Sequence, residues 1–319
     1  MTPEFDLIAK YFTRPATRAR LGVGDDCALI AVADGCELAI STDTLVSGTH
    51  FFADTDPEKL GHKALAVNLS DLAAMGATPR YVTLALTLPA IDHAWLEGFS
   101  RGFVQLADES GVELIGGDTT RGPLSMTLTV FGDVPAGRAM RRDGARAGDD
   151  IWVSGALGGA ALALRHLRGE VVLPDAVRDR ALERLHRPVA RNALGCALRD
   201  AAHAAIDISD GLVADLTHIC ERSGLSAVID WPAVPLSPVL LSMGLDVRIA
   251  CALAGGDDYE LCFTADEGNR KALEAIALDT GVALTRIGKM RTGDSRVQVR
   301  DEHGEPMPIV AAGFDHFSP

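Results

Sequence analysis

The chain has 319 residues, 47% of them hydrophobic, which is enough for about two domains of roughly 150 residues with a buried core in each. Thirty Lys and Arg against 44 Asp and Glu give a formal charge of −14, and no local basic patch offsets it, so a general affinity for nucleic acid or anionic lipid is excluded. Met1–Asp6 opens with acids rather than a positive n-region, no run reaches about 18 uninterrupted apolar residues, and the six cysteines include no C-x-x-C pair, which together point to a reducing cytoplasm without secretion or a membrane span.

In chain order, strand-like Cys27–Val32 and Glu37–Thr42 flank Asp34-Gly35 and predict a hairpin. Pro57–Met75 carries apolar residues near a 3.6 period and stops at Gly76, so it predicts a helix. Arg80–Leu88 predicts a strand, and Asp92–Ser110 a helix with an Asp cap and a Gly111 stop. Val112–Ile115 is a short strand running into a Gly116-Gly117-Asp118 turn, and Leu124–Val134 alternates as an antiparallel strand should. The polar, glycine-bearing Arg141–Asp150 stretch holds the domain boundary, giving domains 1–145 and 146–319.

The second half begins with strand Ile151–Ser154 entering a helix at Gly158-Gly159, where helix–sheet packing explains the glycines better than a dinucleotide turn, because G-x-x-G-G is not G-x-G-x-x-G. Strand Ala204–Ile208, helix Gly211–Arg222, strands Ala227–Trp231 and Tyr259–Thr264, helix Asp266–Leu278 and strands Val282–Ile287 and Val297–Arg300 follow. A second glycine-glycine-aspartate turn lies at Gly255–Asp258.

Acidic residues gather at certain of these turns. Asp25 and Asp26 follow Gly22-Val23-Gly24, Asp43 ends a strand, Asp118 follows two glycines, and Asp207-Ile208-Ser209-Asp210-Gly211 ends another strand. Asp71 is different, because it sits mid-helix, where Asp is a poor former, three residues from Asn68 on one face. Hard Mg²⁺ takes oxygen ligands, one or two carboxylates plus substrate phosphates, and Asp, Ser and Thr are what these turns offer. Each Asp taken singly could equally cap a helix or shape a turn. No Walker A sequence is present, no Ser/His/Asp grouping carries a local nucleophile signature, and the Cys and His positions lack metal-ligand spacing. His50, after a glycine turn, could touch phosphate or satisfy its own loop.

Gly22–Ala28 (GVGDDCA), Ser41–Val46 (STDTLV), Lys63–Gly76 (KALAVNLSDLAAMG), Ile115–Thr120 (IGGDTT), Ile206–Leu212 (IDISDGL), Gly255–Glu260 (GGDDYE) and the closing Gly313–Phe317 resemble the thiamine-monophosphate kinase family, in order over nearly the whole chain. The resemblance implies an α/β (α+β) fold of the two-domain aminoimidazole ribonucleotide synthetase type, with an N-terminal α/β domain that pairs into a homodimer and a C-terminal α/β domain. It implies several Mg²⁺ ions bridging ATP and thiamine monophosphate. Asp26, Ser41, Thr42, Asp43, Asp71 and Asp118 of the first domain, with Asp207 and Asp210 of the second, would hold metal. Gly117, Asp118, Arg142 and Ser209 would contact ATP, and His50, Asp257 and Phe314 would face thiamine monophosphate. The family commonly has Glu at the position of Asp257 and a larger polar aromatic at that of Phe314. The implied reaction makes thiamine diphosphate and ADP by direct, Mg²⁺-assisted transfer. The alternatives are a Mg²⁺-dependent phosphomonoesterase, since Asp207-x-x-Asp210-Gly211 resembles D-P-x-D-G-T without its Pro and Thr, and a non-catalytic nucleotide-binding module.

Overall fold

The computed structural model describes residues 3–308, which fall into two compact units: residues 3–72 with 77–137, and 73–76 with 138–308. The first opens with helix α1 (Pro3–Tyr11), then strand β1 (Cys36–Val46), helix α2 (Pro57–Ala74), strand β2 (Thr78–Leu88), helix α3 (His93–Ser110), strand β3 (Glu113–Arg121) and strand β4 (Ser125–Pro135). The four strands form one sheet in the order β1-β4-β2-β3, antiparallel except for β2–β3.

Alternation decides which sheet face is buried. Val82, Leu84, Leu86 and Leu88 on β2 and Met126, Leu128 and Val130 on β4 are buried, whereas Thr42, Thr44 and Ala85 are exposed and Ile40 keeps 58% of its surface. Helix α3 is capped as its sequence requires: the Asp92 carboxylate accepts from the N–H groups of Ala94 and Trp95, and Gly111 turns left-handed at φ 64°. Helices α2 and α3 cross closely at glycines, since a Cβ on Gly61 would run into the Phe99 carbonyl and one on Gly102 into the Glu58 carbonyl.

The expected hairpin between residues 27–32 and 37–42 does not form. β1 pairs with β4, about a hundred residues on in register (Cys36↔Pro135), while Leu29 makes an isolated bridge to Leu21 and remains 55% exposed. Gly116-Gly117-Asp118 is likewise not a turn but the middle of β3, paired with Thr83–Ala85 of β2.

The second unit runs β5 (Asp150–Ser154), α4 (Gly159–Leu167), α5 (Asp175–His186), α6 (Asn192–Leu198), β6 (Ala204–Asp207), α7 (Leu212–Ser223), β7 (Ser226–Asp230), α8 (Leu245–Leu253), β8 (Leu261–Ala265), α9 (Arg270–Thr280), β9 (Leu284–Arg291) and β10 (Val297–Arg300). Its sheet has the order β10-β7-β9-β5-β8-β6. Central β5 is buried along its whole length, which suits an apolar run covered on both faces. Its first residue, Asp150, is fully buried yet ionically tied, 2.6 Å from Arg270 on α9 and 3.5 and 3.6 Å from Lys289 and Arg286 on β9. Burial pushes that carboxyl up, but the Arg270 hydrogen bond and the three cations outweigh it and hold it below the usual carboxylate range. Cys220, Cys251 and Cys262 are buried in this unit, Cys196 and Cys36 are half-buried, and Cys27 is exposed. No described helix is long and apolar enough to cross a membrane.

Candidate active site

In the first unit the structure joins β1 to α2 through the polar residues singled out in the sequence. Ser41 Oγ donates to Asp71 Oδ2 at 2.5 Å, and the Asp43 N–H donates to Asn68 Oδ1 at 3.1 Å. Asn68 is fully buried and spends its amide on the Ala64 carbonyl one turn back, which fixes its oxygen toward β1. The mid-helix polar pair therefore has a reason: it locks the carboxylate-bearing strand to the helix. Thr42 falls on the other face of β1, where its hydroxyl bonds Thr129 of β4 at 2.9 Å. Asp118 is exposed on β3, in a row that runs across the sheet through Ala85 and Thr127 to Thr44. Ser41, Asp43 and Asp71 thus form one group, and Thr42 and Asp118 belong to the opposite side of the sheet.

His50 closes the loop after β1. Its Nδ1 accepts the Val46 N–H at 2.9 Å, which puts the proton of a neutral ring on Nε2. Asp26 sits exposed in the loop after Gly24, where its N–H donates to Asp25. The segment leading to that loop is anchored by Glu113, whose carboxylate accepts from the N–H groups of Thr17, Arg18 and Ala19 at 2.8, 2.7 and 3.1 Å. Burial raises the Glu113 pKa, but the Thr17 hydroxyl and these amides outweigh it and leave it lowered. Gly117, at φ 150°, lies so close to Leu84 that any Cβ would strike its carbonyl, so close strand packing alone accounts for this glycine.

In the second unit two turns meet at the ends of β6 and β8. Asp207, 4% exposed, ends β6 opposite Leu261. The following turn is held from beneath by Asp215 on α7, whose Oδ2 accepts the N–H groups of Ser209, Asp210 and Gly211. Burial, then the charge of Asp210, pushes the Asp215 carboxyl up to about 7 against the pull of the three amides. In the facing turn Asp257 and Tyr259 are left-handed, at φ 67° and 50°, a conformation that costs side-chain-bearing residues about 1–3 kcal/mol and concentrates at functional sites. The Tyr259 hydroxyl donates to Asp257 Oδ1 at 3.1 Å. Asp258 between them accepts the Gly158 N–H at 2.7 Å just before α4, and burial pushes its carboxyl well up. Glu260 is gripped by the Arg191 guanidinium and by the Ser154 hydroxyl at 2.5 Å. Arg142 is exposed, with its carbonyl accepting the Ser223 hydroxyl at 2.8 Å.

Two domain families match the chain: AIR synthase related protein, N-terminal domain, over residues 24–134, and AIR synthase related protein, C-terminal domain, over 146–300. Thiamine-monophosphate kinase of Escherichia coli (strain K12) is 49% identical over 320 residues, 99% of this chain and 98% of that protein. The chain belongs to the thiamine-monophosphate kinase family.

The crystal structure of thiamine-monophosphate kinase from Stenotrophomonas maltophilia K279a superimposes with a TM-score of 0.85 at 47% identity, covering 95% of this chain and 96% of that one. AaThiL complexed with AMPPCP and TMP superimposes at 0.79 and 30% identity, covering 90% and 89%. The expected two-domain aminoimidazole ribonucleotide synthetase-like architecture is the observed one. Among the described residues no three His, Cys, Asp or Glu side chains converge on one point. Phe314, expected to face the substrate, lies outside the described residues. Asp215, Glu260 and Arg191 were not legible as site-building residues. Asp215 reads in sequence as an ordinary acid in the first turn of a helix, and its partners are main-chain amides.

Proposed function

We infer that the chain performs the reaction of its family, ATP-dependent phosphorylation of thiamine monophosphate to thiamine diphosphate, by direct transfer assisted by several Mg²⁺ ions. The observation that carries the reaction is the identity of 49% sustained over 99% of the chain. The acceptor is a phosphate oxygen with a second pKa of about 6, mostly ionised at neutral pH, so no general base is required. The difficulty is bringing two polyanions together, since like unit charges about 4 Å apart repel by roughly 4 kcal/mol at an effective dielectric of about 20. Mg²⁺ bound at the site supplies the charge neutralisation that this approach needs.

The donor chemistry fits that ion. Ser41 with Asp71, and Asp43 beside them, offer hard oxygens on one side of the first sheet, and Asp118 with Thr42 on the other. Asp26 in its exposed loop, and Asp207 and Asp210 in the second unit, complete the proposed metal set. In the same reading Gly117, Asp118, Arg142 and Ser209 bind ATP, while His50, Asp257 and Phe314 face thiamine monophosphate. The Asp257 carboxylate would attract the cationic thiazolium ring. A homodimer formed through the first sheet and a cytoplasmic location go with this reading. The open sheet face with Ile40 supports the first, and the use of ATP as co-substrate, which the complex of AaThiL with AMPPCP and TMP supports, suits the second.

The test is formation of ADP and thiamine diphosphate, one for one, from ATP, thiamine monophosphate and Mg²⁺. Release of phosphate from thiamine monophosphate without ATP would identify a phosphomonoesterase instead. Exchange of labelled ADP into ATP without thiamine monophosphate would point to a phosphoenzyme and overturn direct transfer.

A further inference from the structure

We infer that Asp215 is a positioning residue that sets the nucleotide turn and the acceptor turn of the second unit as one body. The inference rests on the reading above, in which Ser209 meets ATP and Asp257 meets thiamine monophosphate. Asp215 is 3% exposed, and its Oδ2 accepts three consecutive main-chain N–H groups, from Ser209 at 3.1 Å, Asp210 at 3.2 Å and Gly211 at 3.1 Å. Successive amides aimed at one oxygen make an anion nest, and here the chain's own carboxylate fills it. The nest therefore fixes the path of the turn rather than receiving a phosphate.

That turn is zipped to the other one. Beyond the last ladder pair, Asp207↔Leu261, the Ile208 N–H donates to the Glu260 carbonyl at 2.8 Å. The Tyr259 N–H donates to the Ile208 carbonyl at 2.9 Å, and the Asp257 N–H to the Ser209 carbonyl at 2.9 Å. No slack remains between the turns, because a Cβ on Gly256 would overlap the Ser209 carbonyl oxygen. The left-handed Tyr259 and Asp257 donate the second and third of these bonds. Ser209 cannot shift without breaking the Asp257 N–H bond, so the cost of ordering both turns is met by one shared set of interactions.

In the parent protein both turns are preset. Removing the Asp215 carboxylate strips three amides of their acceptor and loosens the pair. Whichever ligand binds first must then re-form both turns, and the second ligand finds its turn already ordered.

Calorimetry with AMPPCP and thiamine monophosphate in Mg²⁺ tests this, each ligand titrated alone and with the other at saturation. Asp215→Ala should weaken both ligands about 10-fold and raise the factor by which one tightens the other about 5-fold over the parent. Asp215→Asn, which keeps an oxygen acceptor, should stay within about twofold of the parent for both. Gly256→Ala pushes the turns apart from the acceptor side and should weaken both ligands as well, which keeps the test decisive if Asp215→Ala does not fold. Loss of AMPPCP affinity alone in Asp215→Ala would show independent turns and overturn the inference. A lowered melting temperature with unchanged affinities would reduce Asp215 to a stability role and overturn it equally. Ser209→Ala and Asp257→Ala separate the two levels: if each weakens its own ligand while Asp215→Ala spares thiamine monophosphate, the coupling has failed and the site assignment stands. If neither weakens its ligand, the assignment has failed.

Discussion

Asp71 shares a 2.5 Å hydrogen bond with Ser41, and Asp43 lies on the strand that Asn68 ties to the same helix, so two carboxylates sit where an amide could replace either without loss of volume. Asp43→Asn and Asp71→Asn should each lower kcat by about 100-fold or more with little change in melting temperature. In EDTA, where the carboxylates lack a cation, the variants should be as stable as the parent or more so. Wild-type rates at low Mg²⁺ in both would remove the metal assignment. Asp257 predicts a different kinetic pattern. Asp257→Ala should raise KM for thiamine monophosphate about 10-fold with KM for ATP nearly unchanged, because a uniform binding contact is lost, and Asp257→Glu should remain active. Equal effects on both KM values would return Asp257 to a turn-shaping role. At this scale the sequence exposes what is chemically out of place, such as an Asp mid-helix. It hides Asp215, whose partners are backbone amides brought in by the fold, and shows Asp258 only as part of a glycine turn, not as the acceptor of the Gly158 N–H.

At the scale of elements, Asp150 fastens β5 to α9 and β9 through Arg270, Lys289 and Arg286. Its carboxyl is held below the ordinary range in the folded chain, so it contributes stability that is fully present above the unfolded pKa of about 3.9 and lost as pH falls through the lower folded value. Asp150→Asn should therefore cost roughly 3 kcal/mol at pH 7, and its gap from the parent should close as pH falls below about 4. Chemical denaturation at both pH values measures this, and a gap that does not change with pH would rule out the ion pairs as its source. Helix α2 was legible from its apolar period and the Gly76 stop, and α3 from its Asp92 cap and the Gly111 stop. The hairpin expectation failed because local turn chemistry at Asp34-Gly35 says nothing of β4, which supplies the true partner of β1. Helices α5, α6 and α8 were not anticipated. α5 buries only Ala181 and Leu185 beneath a charged surface, too thin a stripe to announce a period, and the others are short.

At the scale of the whole molecule, the first sheet presents Ile40, Thr42, Thr44 and Ala85 to solvent on the face its helices do not cover. An uncovered sheet face with an exposed isoleucine suits an isologous pairing of two copies, the commonest oligomeric arrangement. Light scattering at micromolar concentration should give a dimer mass, and Ile40→Glu should shift it to the monomer. A monomeric parent would remove the proposal. The cysteines divide between the two units in a way that makes the chain its own unfolding reporter. All three buried thiols, Cys220, Cys251 and Cys262, lie in the second unit, and burial pushes those of Cys220 and Cys251 up to about 11, so a thiol reagent finds neither access nor thiolate in the native state. The first unit holds only exposed Cys27 and half-buried Cys36. Under graded denaturant, timed alkylation at Cys220, Cys251 and Cys262, read by peptide mass, should therefore date the opening of the second unit. Comparison with circular dichroism would then show whether the two halves of this kinase unfold in one event or in sequence, with no probe engineered into either.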